Sequence, residues 1–324
     1  MSWRLGLFKG VKAIGVYEFG GPDALEVIDL PEPQAGPGEV RIRVYAAAVS
    51  PTDVLLRTGG HAVRMPGRRP PFVPGMDAAG VIDQIGPGCD GRLHVGQRVI
   101  AMVMFVGEHG GAYAEQVVVP AASVVPAPAN ADFAAASTLL MNAMTARLAL
   151  DTLGLRAGET VAVTGAAGAV GGFAVELAKA DGLRVIADAA ERDVELVRGF
   201  GADHVVERGA EVAARIQELV PGGVPGLVDG SDQQGEVLGA IADGGMLVEL
   251  RGWEGPGERG VRVVPVMVPD RITDTEGLTT LSRQAEMGVL TLRVAEVLPA
   301  EQAPKAHRML EAGGLRGRIV LDFS

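Results

Sequence analysis

Residues 165–171 read GAAGAVG, a glycine-rich turn between a strand pattern at Thr160–Thr164 and a helical pattern that begins near Ala169. A backbone that turns sharply beside a pyrophosphate needs small residues, and the following helix offers N–H groups and a positive dipole end to the phosphates. The turn therefore predicts a dinucleotide site, although Ala166 stands at the first glycine of the GxGxxG register. The predicted cofactor-binding residues of the turn are Gly165, Ala166, Ala167, Gly168, Ala169 and Val170.

Strands and helices alternate on the carboxyl side of this turn. Apolar residues follow it at the spacing of one helix face, namely Val170, Phe173, Ala174, Leu177 and Ala178. Further short apolar runs predict strands at Arg184–Ala187, His204–Val206, Gly226–Asp229, Met246–Leu250 and Arg262–Val268. Buried strands separated by helices indicate an α/β domain with a doubly wound parallel sheet.

The chain before the turn has a different pattern. Short strands are predicted at Val40–Ala46, Ala78–Ile85, Arg98–Val103 and Gln116–Val119, which is typical of a small β-barrel. An Ala-rich segment, Phe133–Leu150, predicts one helix. A last strand is predicted at Ile319–Phe323, and the pattern leaves open which domain it joins. The strand-like pattern begins only at Val11, so the first ten residues are expected to form an extension.

Composition restricts the function. The 324 residues are 48% hydrophobic and 21% charged, enough apolar material for a buried core. A net charge of −11 argues against nucleic acid and anionic membranes as partners, because binding phosphate groups needs a basic surface. We find no apolar run of transmembrane length. The single cysteine, Cys89, excludes an internal disulfide and a multi-cysteine zinc site, so we expect a cytoplasmic protein.

The choice of nicotinamide cofactor depends on opposing charges. Asp188 lies at the end of the next predicted strand, twenty residues after Gly168, where an acidic residue holds the ribose hydroxyls of NAD. Arg192 and Arg208 follow the second and third strands, where a guanidinium would meet the 2′-phosphate of NADP. Two arginines against one carboxylate favour NADPH, and NADH stays the alternative.

Several motifs in their order along the chain resemble those of one family. They are VYAAAVSPTDVLLRTG (Val44–Gly59), PFVPGMDAAGVIDQIGPG (Pro71–Gly88), VGQRV (Val95–Val99), GGAYAEQVVVP (Gly110–Pro120), ASTLLMNAMTARLAL (136–150) and LEAGGLRGRIVLDF (310–323). The chain resembles the quinone oxidoreductase branch of the medium-chain dehydrogenase/reductase superfamily from Val11 to its end. The resemblance implies a GroES-like β-barrel catalytic domain over residues 11–129, to which residues 299–324 return, and a Rossmann domain over 130–298.

The resemblance also bears on metal. Zinc-dependent members bind their catalytic ion through Cys, His and a further Cys or Asp, but here Ser50 stands at the first ligand position and Met76 at the histidine position. Ser and Met make a poor zinc site. We therefore expect a zinc-independent enzyme that transfers hydride from NADPH to a quinone or an activated alkene. Thr145 matches a family threonine close to the nicotinamide, so it joins the predicted cofactor-binding residues.

Three residues are the catalytic candidates. Ser50 stands where the branch usually carries Asn, and it can donate one hydrogen bond to nicotinamide or substrate. Asp53 matches the branch pattern, with loop orientation favoured over acid–base work. His61 could donate a proton to the α-carbon of an enone, but an exposed position on a flexible loop is the favoured alternative. That loop, HAVRMPGRRPP (His61–Pro71), is either a lid whose arginines attract an acidic substrate or a solvated segment.

Other functions and an assembly stay open. The chain could be an enoyl-thioester reductase of a biosynthetic pathway, or a non-catalytic NADPH-binding protein like the crystallins among the family's relatives. In either enzymatic reading the partner is a small-molecule substrate. The run VRVVPVMV (261–268) is too apolar to stay exposed at a sheet edge, so we expect a homodimer joined there.

Overall fold

The protein is described here by a computed structural model that covers residues 10–324. Its contacts divide the chain into two compact units. Unit 1 comprises the described residues up to Leu140 together with Ile272–Ser282 and Leu292–Ser324, and unit 2 comprises Met141–Arg271 and Arg283–Thr291. Residues 130–140 and 272–282, which lie inside the range expected for the Rossmann domain, thus group with unit 1. The limits expected for the two domains stay a prediction. The expected extension lies, apart from Gly10, outside the described residues.

The secondary structure agrees with most of the expected segments. The strands are β1 (Gly10–Gly15), β2 (Glu26–Pro31), β3 (Glu39–Ala48), β4 (Asp77–Ile85), β5 (Arg98–Met102), β6 (Gln116–Pro120), β7 (Val124–Pro126), β8 (Thr160–Thr164), β9 (Arg184–Ala189), β10 (His204–Glu207), β11 (Val224–Asp229), β12 (Ile241–Glu249), β13 (Arg262–Pro265), β14 (Val294–Pro299) and β15 (Arg318–Asp322). The α-helices are α1 (Pro51–Arg57), α2 (Phe133–Ser137), α3 (Leu140–Leu153), α4 (Ala169–Ala180), α5 (Val194–Gly199), α6 (Val212–Leu219), α7 (Thr275–Glu286) and α8 (Ala303–Ala312).

Unit 1 is built on a seven-stranded, largely antiparallel sheet. Its strands run in the order β14-β15-β3-β4-β5-β7, with β6 also paired to β3, and β1 and β2 form a separate antiparallel pair. Strand β15 pairs antiparallel with β3, with Val320 opposite Ala48. The last strand of the chain therefore belongs to the sheet of unit 1, a point that the residue pattern alone left open. Ile42, Ile82 and Val99 lie in its buried apolar core.

Unit 2 contains the predicted doubly wound sheet. Its six strands are all parallel and run in the order β10-β9-β8-β11-β12-β13. The glycine-rich turn follows β8, next to the point where strand order reverses, which is where ligands bind in open α/β sheets. The predicted α/β fold class is confirmed. Strand β13 lies at the sheet edge as expected, but it ends at Pro265 and not at Val268.

The predicted helix Phe133–Leu150 is two helices, α2 and α3. At the break, the hydroxyls of Ser137 and Thr138 donate hydrogen bonds to the carbonyls of Ala134 and Ala135. Such side-chain bonds compete with helix propagation, and the two consecutive hydroxyl residues carried that signal in the sequence.

The same region corrects the expectation that no segment reaches the length of a membrane span. By length and composition alone, the helical stretch Phe133–Leu153 could cross a membrane. This is weak support for a span, because 67% of its apolar window is buried inside the protein. Buried core helices of soluble proteins pass the same test.

Candidate functional site

The glycine-rich turn after β8 leaves no room for side chains at two of its positions. Gly165 has a φ of +67°, and a Cβ there would lie 2.6 Å from the carbonyl oxygen of Gly230. A Cβ at Gly171 would lie 2.2 Å from the carbonyl oxygen of Gly165, so the first turn of α4 packs directly on the glycine-rich turn. Both glycines are therefore required by close backbone approach, which is the geometry of a dinucleotide-binding turn.

Helix α4 begins at this turn. Gly168 is its N-cap, in an extended conformation, and the first helical residues Ala169 and Val170 are only half-buried. The N–H groups of a first helical turn have no acceptor within the helix, and they point toward an anion placed at its end. The six residues predicted to bind the pyrophosphate are thus brought together in one turn and helix start, and they fit a dinucleotide cofactor.

Asp188, near the end of β9, is directed toward the same turn. Its side chain is buried, and its Oδ1 accepts a hydrogen bond from the backbone N–H of Ala166 at 3.2 Å. Burial raises the pKa of Asp188, while hydrogen bonds from the N–H groups of Ala166 and Gly165 and the charge of Arg208 lower it. Oδ2 has no hydrogen-bond partner among the described residues. The carboxylate anchors the backbone of the turn, a contact that sequence reasoning about ribose recognition did not include.

The two arginines predicted to meet a 2′-phosphate lie near the end of β9. Arg192 stands on a short 3-10 turn after β9, with a side chain that is 73% exposed and a distance of 3.9 Å from its Nε to the Asp193 carboxylate. Arg208 follows β10, is exposed, and donates its backbone N–H to the carbonyl of Ala189 at 3.0 Å. The charge of Arg208 lowers the pKa of Asp188.

Two further carboxylates stand in register at the ends of neighbouring strands, and sequence reasoning missed them. Asp229 of β11 pairs with Thr164 of β8 and with Glu249 of β12. Asp229 accepts the Thr164 hydroxyl at 2.7 Å and the backbone N–H of Gln234 at 2.8 Å. Glu249 accepts the backbone N–H of Trp253 at 2.9 Å. Their signal was an acidic residue directly ending an apolar run, and each holds the loop that follows its strand.

Thr145 lies on α3 in the same unit as the glycine-rich turn. Its hydroxyl donates to the carbonyl of Met141 at 2.7 Å, and the side chain is half-buried. With its proton used in this way, the oxygen can act only as a hydrogen-bond acceptor toward a ligand. A carboxamide N–H₂ of nicotinamide is a donor of the matching kind.

In unit 1, Ser50 and Asp53 form the start of α1. Ser50 is the N-cap, and its backbone N–H donates to Oδ2 of Asp53 at 2.8 Å. Oδ1 of Asp53 accepts the backbone N–H of Gly75 at 2.8 Å, and Oδ2 also accepts the Tyr113 hydroxyl at 3.1 Å. Burial raises the pKa of Asp53 to about 6, and these hydrogen bonds and the charge of Arg318 oppose that rise. Asp53 is thus a fully buried acceptor with three donors, and its loop-orienting role stays a prediction.

Met76, which stands at a metal-ligand position of zinc-dependent relatives, follows Gly75 directly. Gly75 has a φ of +105°, and a Cβ there would lie 2.7 Å from Cδ1 of Tyr113. Asp53 therefore joins the backbone of this loop to that of Ser50. Residues 10–324 contain no group of three or more His, Cys, Asp or Glu side chains placed to hold a metal ion.

The favoured expectation that His61 is an exposed loop residue is wrong. Its side chain is 8% exposed, and its ring centroid lies 5.2 Å from that of Phe105. Nε2 is buried with no hydrogen-bond partner among the described residues. Burial, and then the charge of Arg64, lower the pKa of His61. The lowered pKa favours the neutral imidazole, whose Nε2 is buried.

The arginine-rich loop His61–Pro71 is tied to the segment after β5. Arg68 donates hydrogen bonds to the carbonyl oxygens of Phe105, at 3.0 Å, and of Gly107. Arg68 is therefore occupied by backbone and is not a free charge for an acidic substrate. Arg64 and Arg69 are exposed and keep that role open.

Two family models match the chain. The alcohol dehydrogenase GroES-like domain matches residues 36–129, and the zinc-binding dehydrogenase domain matches residues 181–321. The first falls in unit 1, and the second covers most of the parallel sheet and the return of the chain to unit 1.

Relatives match the whole chain. A quinone oxidoreductase of Pseudomonas aeruginosa is 30% identical over 330 residues, covering 96% of this chain and 99% of that protein. A 2-haloacrylate reductase of Burkholderia sp is 28% identical, covering 96% and 98%. Among solved structures, an NAD-dependent alcohol dehydrogenase superposes with a TM-score of 0.85 at 31% identity, covering 97% and 100%. A mycobacterial protein complexed with NADPH has a TM-score of 0.83 at 29% identity, covering 96% and 99%.

Proposed function

The chain belongs to the quinone oxidoreductase-like group of the medium-chain dehydrogenase/reductases and is an NAD(P)H-dependent oxidoreductase, and from this premise we propose that it reduces a quinone or an activated alkene with NADPH and without zinc. The observation that carries the proposal is the 30% identity to a quinone oxidoreductase along 96% of the chain. The similarity to a 2-haloacrylate reductase supports activated alkenes as a substrate class.

The proposed absence of zinc rests on the donor set. The family model over residues 181–321 carries zinc binding in its name, but Ser50 and Met76 replace the ligands of zinc-dependent members. A serine hydroxyl and a thioether are weak ligands for Zn²⁺, which prefers thiolate, imidazole and carboxylate. The proposal therefore assigns the polarising role to hydrogen-bond donors of the protein.

NADPH is proposed over NADH because of the charges around the end of β9. Arg208 lies close enough to act on Asp188, and Arg192 is solvent-exposed on the adjoining turn. Asp188 is buried and its Oδ1 is bonded to the glycine-rich turn, and we propose that the carboxylate serves this turn and does not bind the ribose. One relative was solved with NADPH and another is NAD-dependent by name, so the arginines decide the proposal.

The cofactor supplies a hydride when bound, and the residues of this chain bind and orient. Thr145 and the N–H groups at the start of α4 hold the cofactor by its carboxamide and phosphates. The Ser50 hydroxyl donates a hydrogen bond to the carbonyl oxygen on which negative charge develops. A quinone product takes its protons from water. For an enone, His61 could deliver a proton to the α-carbon only as imidazolium, and its lowered pKa disfavours that form, so this proton is also assigned to water.

The proposed partners are a small-molecule substrate and a second copy of the chain. Strand β13 ends the parallel sheet and leaves its outer edge without a strand among the described residues. A two-fold pairing at this edge would cover Val263 and Val264. The acidic net charge supports the absence of nucleic-acid and membrane partners.

The test is a substrate panel with NADPH, followed by the loss of nicotinamide absorbance, combined with elemental analysis. We expect turnover of small quinones or enones, activity that survives a chelator, and much less than one zinc per chain. Ser50→Ala should lower kcat for the best substrate by about tenfold, since it removes one donor to the developing oxyanion. One tightly bound zinc per chain with loss of activity on chelation, or turnover of enoyl thioesters alone, would contradict the proposal.

A further inference from the structure

A chain of buried polar groups runs from Ser50 to helix α8 in unit 1. We call it the buried relay, and its members are Ser50, Asp53, Tyr113 and His307. Tyr113 Oη lies 3.1 Å from Oδ2 of Asp53 and 3.3 Å from Nε2 of His307. Tyr113 and His307 are 0% exposed, and their rings meet edge to face with centroids 6.0 Å apart. The relay thus links the predicted site loop to a helix 194 residues after Tyr113.

The directions of the hydrogen bonds in the relay are determined by the donors present. Ionised Asp53 can only accept, so the Tyr113 hydroxyl gives its single proton to it. The oxygen of Tyr113 must then accept from His307, which requires the proton of His307 on Nε2. Burial, and then the charge of Arg57, lower the pKa of His307 to about 4, so the imidazole is neutral with a single proton to place. Within the relay, His307 donates to Tyr113, and Tyr113 donates to Asp53.

The relay is costly as core packing. His307 is completely buried, and its Nδ1 has no hydrogen-bond partner among the described residues. A buried polar atom without a partner is destabilising, so an apolar side chain would serve packing better. The polar side chains instead fix the position of the Asp53 carboxylate. That carboxylate in turn fixes the backbones at Ser50 and Gly75.

Charged groups surround the relay without entering it. Arg57, which is 1% exposed, pairs with Glu311 on α8, and Arg318 pairs with Asp77 beside Met76. Arg318 Nη2 also donates to the carbonyls of Ala48 and Val49, just before Ser50. These pairs hold the same two loops at other points, so removal of one relay hydrogen bond should shift the loops without unfolding them.

We propose that Tyr113 and His307 are positioning residues for the reduction, which hold Asp53 so that it aligns the loops of Ser50 and Met76. Neither touches the reacting atoms. The inference rests on the proposed function to the extent that Ser50 is the hydrogen-bond donor at the reacting centre. Its structural part, the fixed position of two backbone N–H groups, does not depend on the substrate.

The test compares Tyr113→Phe, His307→Leu and His307→Gln in the full chain. Tyr113→Phe and His307→Leu should lower kcat for the best quinone or enone by about tenfold with little change in KM for NADPH, since small displacements at a reacting centre are costly and unit 2 carries the cofactor turn. His307→Gln should recover most of the loss, because its amide N–H₂ can donate to Tyr113 in place of Nε2–H. Tyr45→Phe and His94→Gln, which lie outside the relay, are the matched controls.

Hydrogen exchange at the amides of Ser50 and Gly75 tests the positioning role separately from the proposed function. Both amides should exchange faster in Tyr113→Phe and in His307→Leu and be protected again in His307→Gln, whatever the substrate. Wild-type kcat and exchange in Tyr113→Phe, or equal losses in His307→Leu and His307→Gln, would overturn the positioning role. If Ser50→Ala keeps full activity while the exchange pattern is as expected, the role of Ser50 as hydrogen-bond donor at the reacting centre fails and the positioning of the loops stands.

Discussion

Each unit places one buried aspartate behind its candidate site loop, and the two aspartates are satisfied very differently. Asp53 of unit 1 accepts from two backbone N–H groups on separate loops and from the Tyr113 hydroxyl. Asp188 of unit 2 bonds to the backbone of one turn, at Ala166 and Gly165, and its Oδ2 has no partner among the described residues. Burial raises the pKa of both carboxyls.

Asp53 holds two loops together, whereas Asp188 holds the backbone of a single turn. Asp53 accepts from Gly75, 22 residues along the chain, as well as from nearby Ser50, so its loss frees two backbones at once. Asp188 acts on a turn that close packing at Gly165 and Gly171 already restricts. In both cases an acidic residue at a site position bonds to the protein backbone, a role that the sequence favoured for Asp53 but not for Asp188.

The largest expected difference between the two aspartates is in the free energy of unfolding that each contributes. Both carboxylate oxygens of Asp53 accept hydrogen bonds, and Asp53→Asn replaces one of them with an N–H₂ group that cannot accept. We therefore expect a loss of about 3–5 kcal/mol in the free energy of unfolding. Asp188→Asn can keep its oxygen toward Ala166 and turn its N–H₂ to the position of the unpartnered Oδ2, so about 1 kcal/mol or less should be lost. Denaturant titration measures both. Equal losses would show that the aspartates have the same role.

A smaller effect concerns pH. The pKa of Asp53 is raised from 3.8 to about 6 in the folded protein, so the folded state holds this proton more tightly than the unfolded state. The stabilisation is fully present below about pH 4 and is lost as the pH rises through about 6. The stability difference between wild type and Asp53→Asn should shrink by roughly 2 kcal/mol from pH 4 to pH 8. His307 titrates in both proteins and largely cancels. A difference that grows with pH would contradict the raised pKa.

The sequence predicted the parts of the molecule that follow from local pattern. Small residues between a strand and a helix located the turn at Gly165–Gly171, and the order of apolar runs predicted the parallel sheet. Ser137 and Thr138 carried the signal for the helix break, which a count of apolar residues overlooks.

The contacts that fill the site could not be predicted in the same way. The bond between Tyr113 and His307 joins residues 194 positions apart, and the pairing of β15 with β3 brings α8 beside the first strands only once the whole fold forms. The expectation of an exposed His61 failed because Phe105 lies against it, and that residue comes from a different loop. Periodicity reports which face of an element is buried, but not which side chain it meets.

The measurement that tests the central claim most directly is the ratio of kcat/KM for NADPH to that for NADH, in wild type, Asp188→Asn and Arg192→Ala/Arg208→Ala. If Asp188 anchors the turn while the arginines meet the 2′-phosphate, wild type should prefer NADPH by at least about tenfold, or 1.4 kcal/mol. Asp188→Asn should keep that ratio, and the double substitution should abolish it. A wild-type preference for NADH, raised toward NADPH by Asp188→Asn, would show that the carboxylate faces the ribose and would contradict the account.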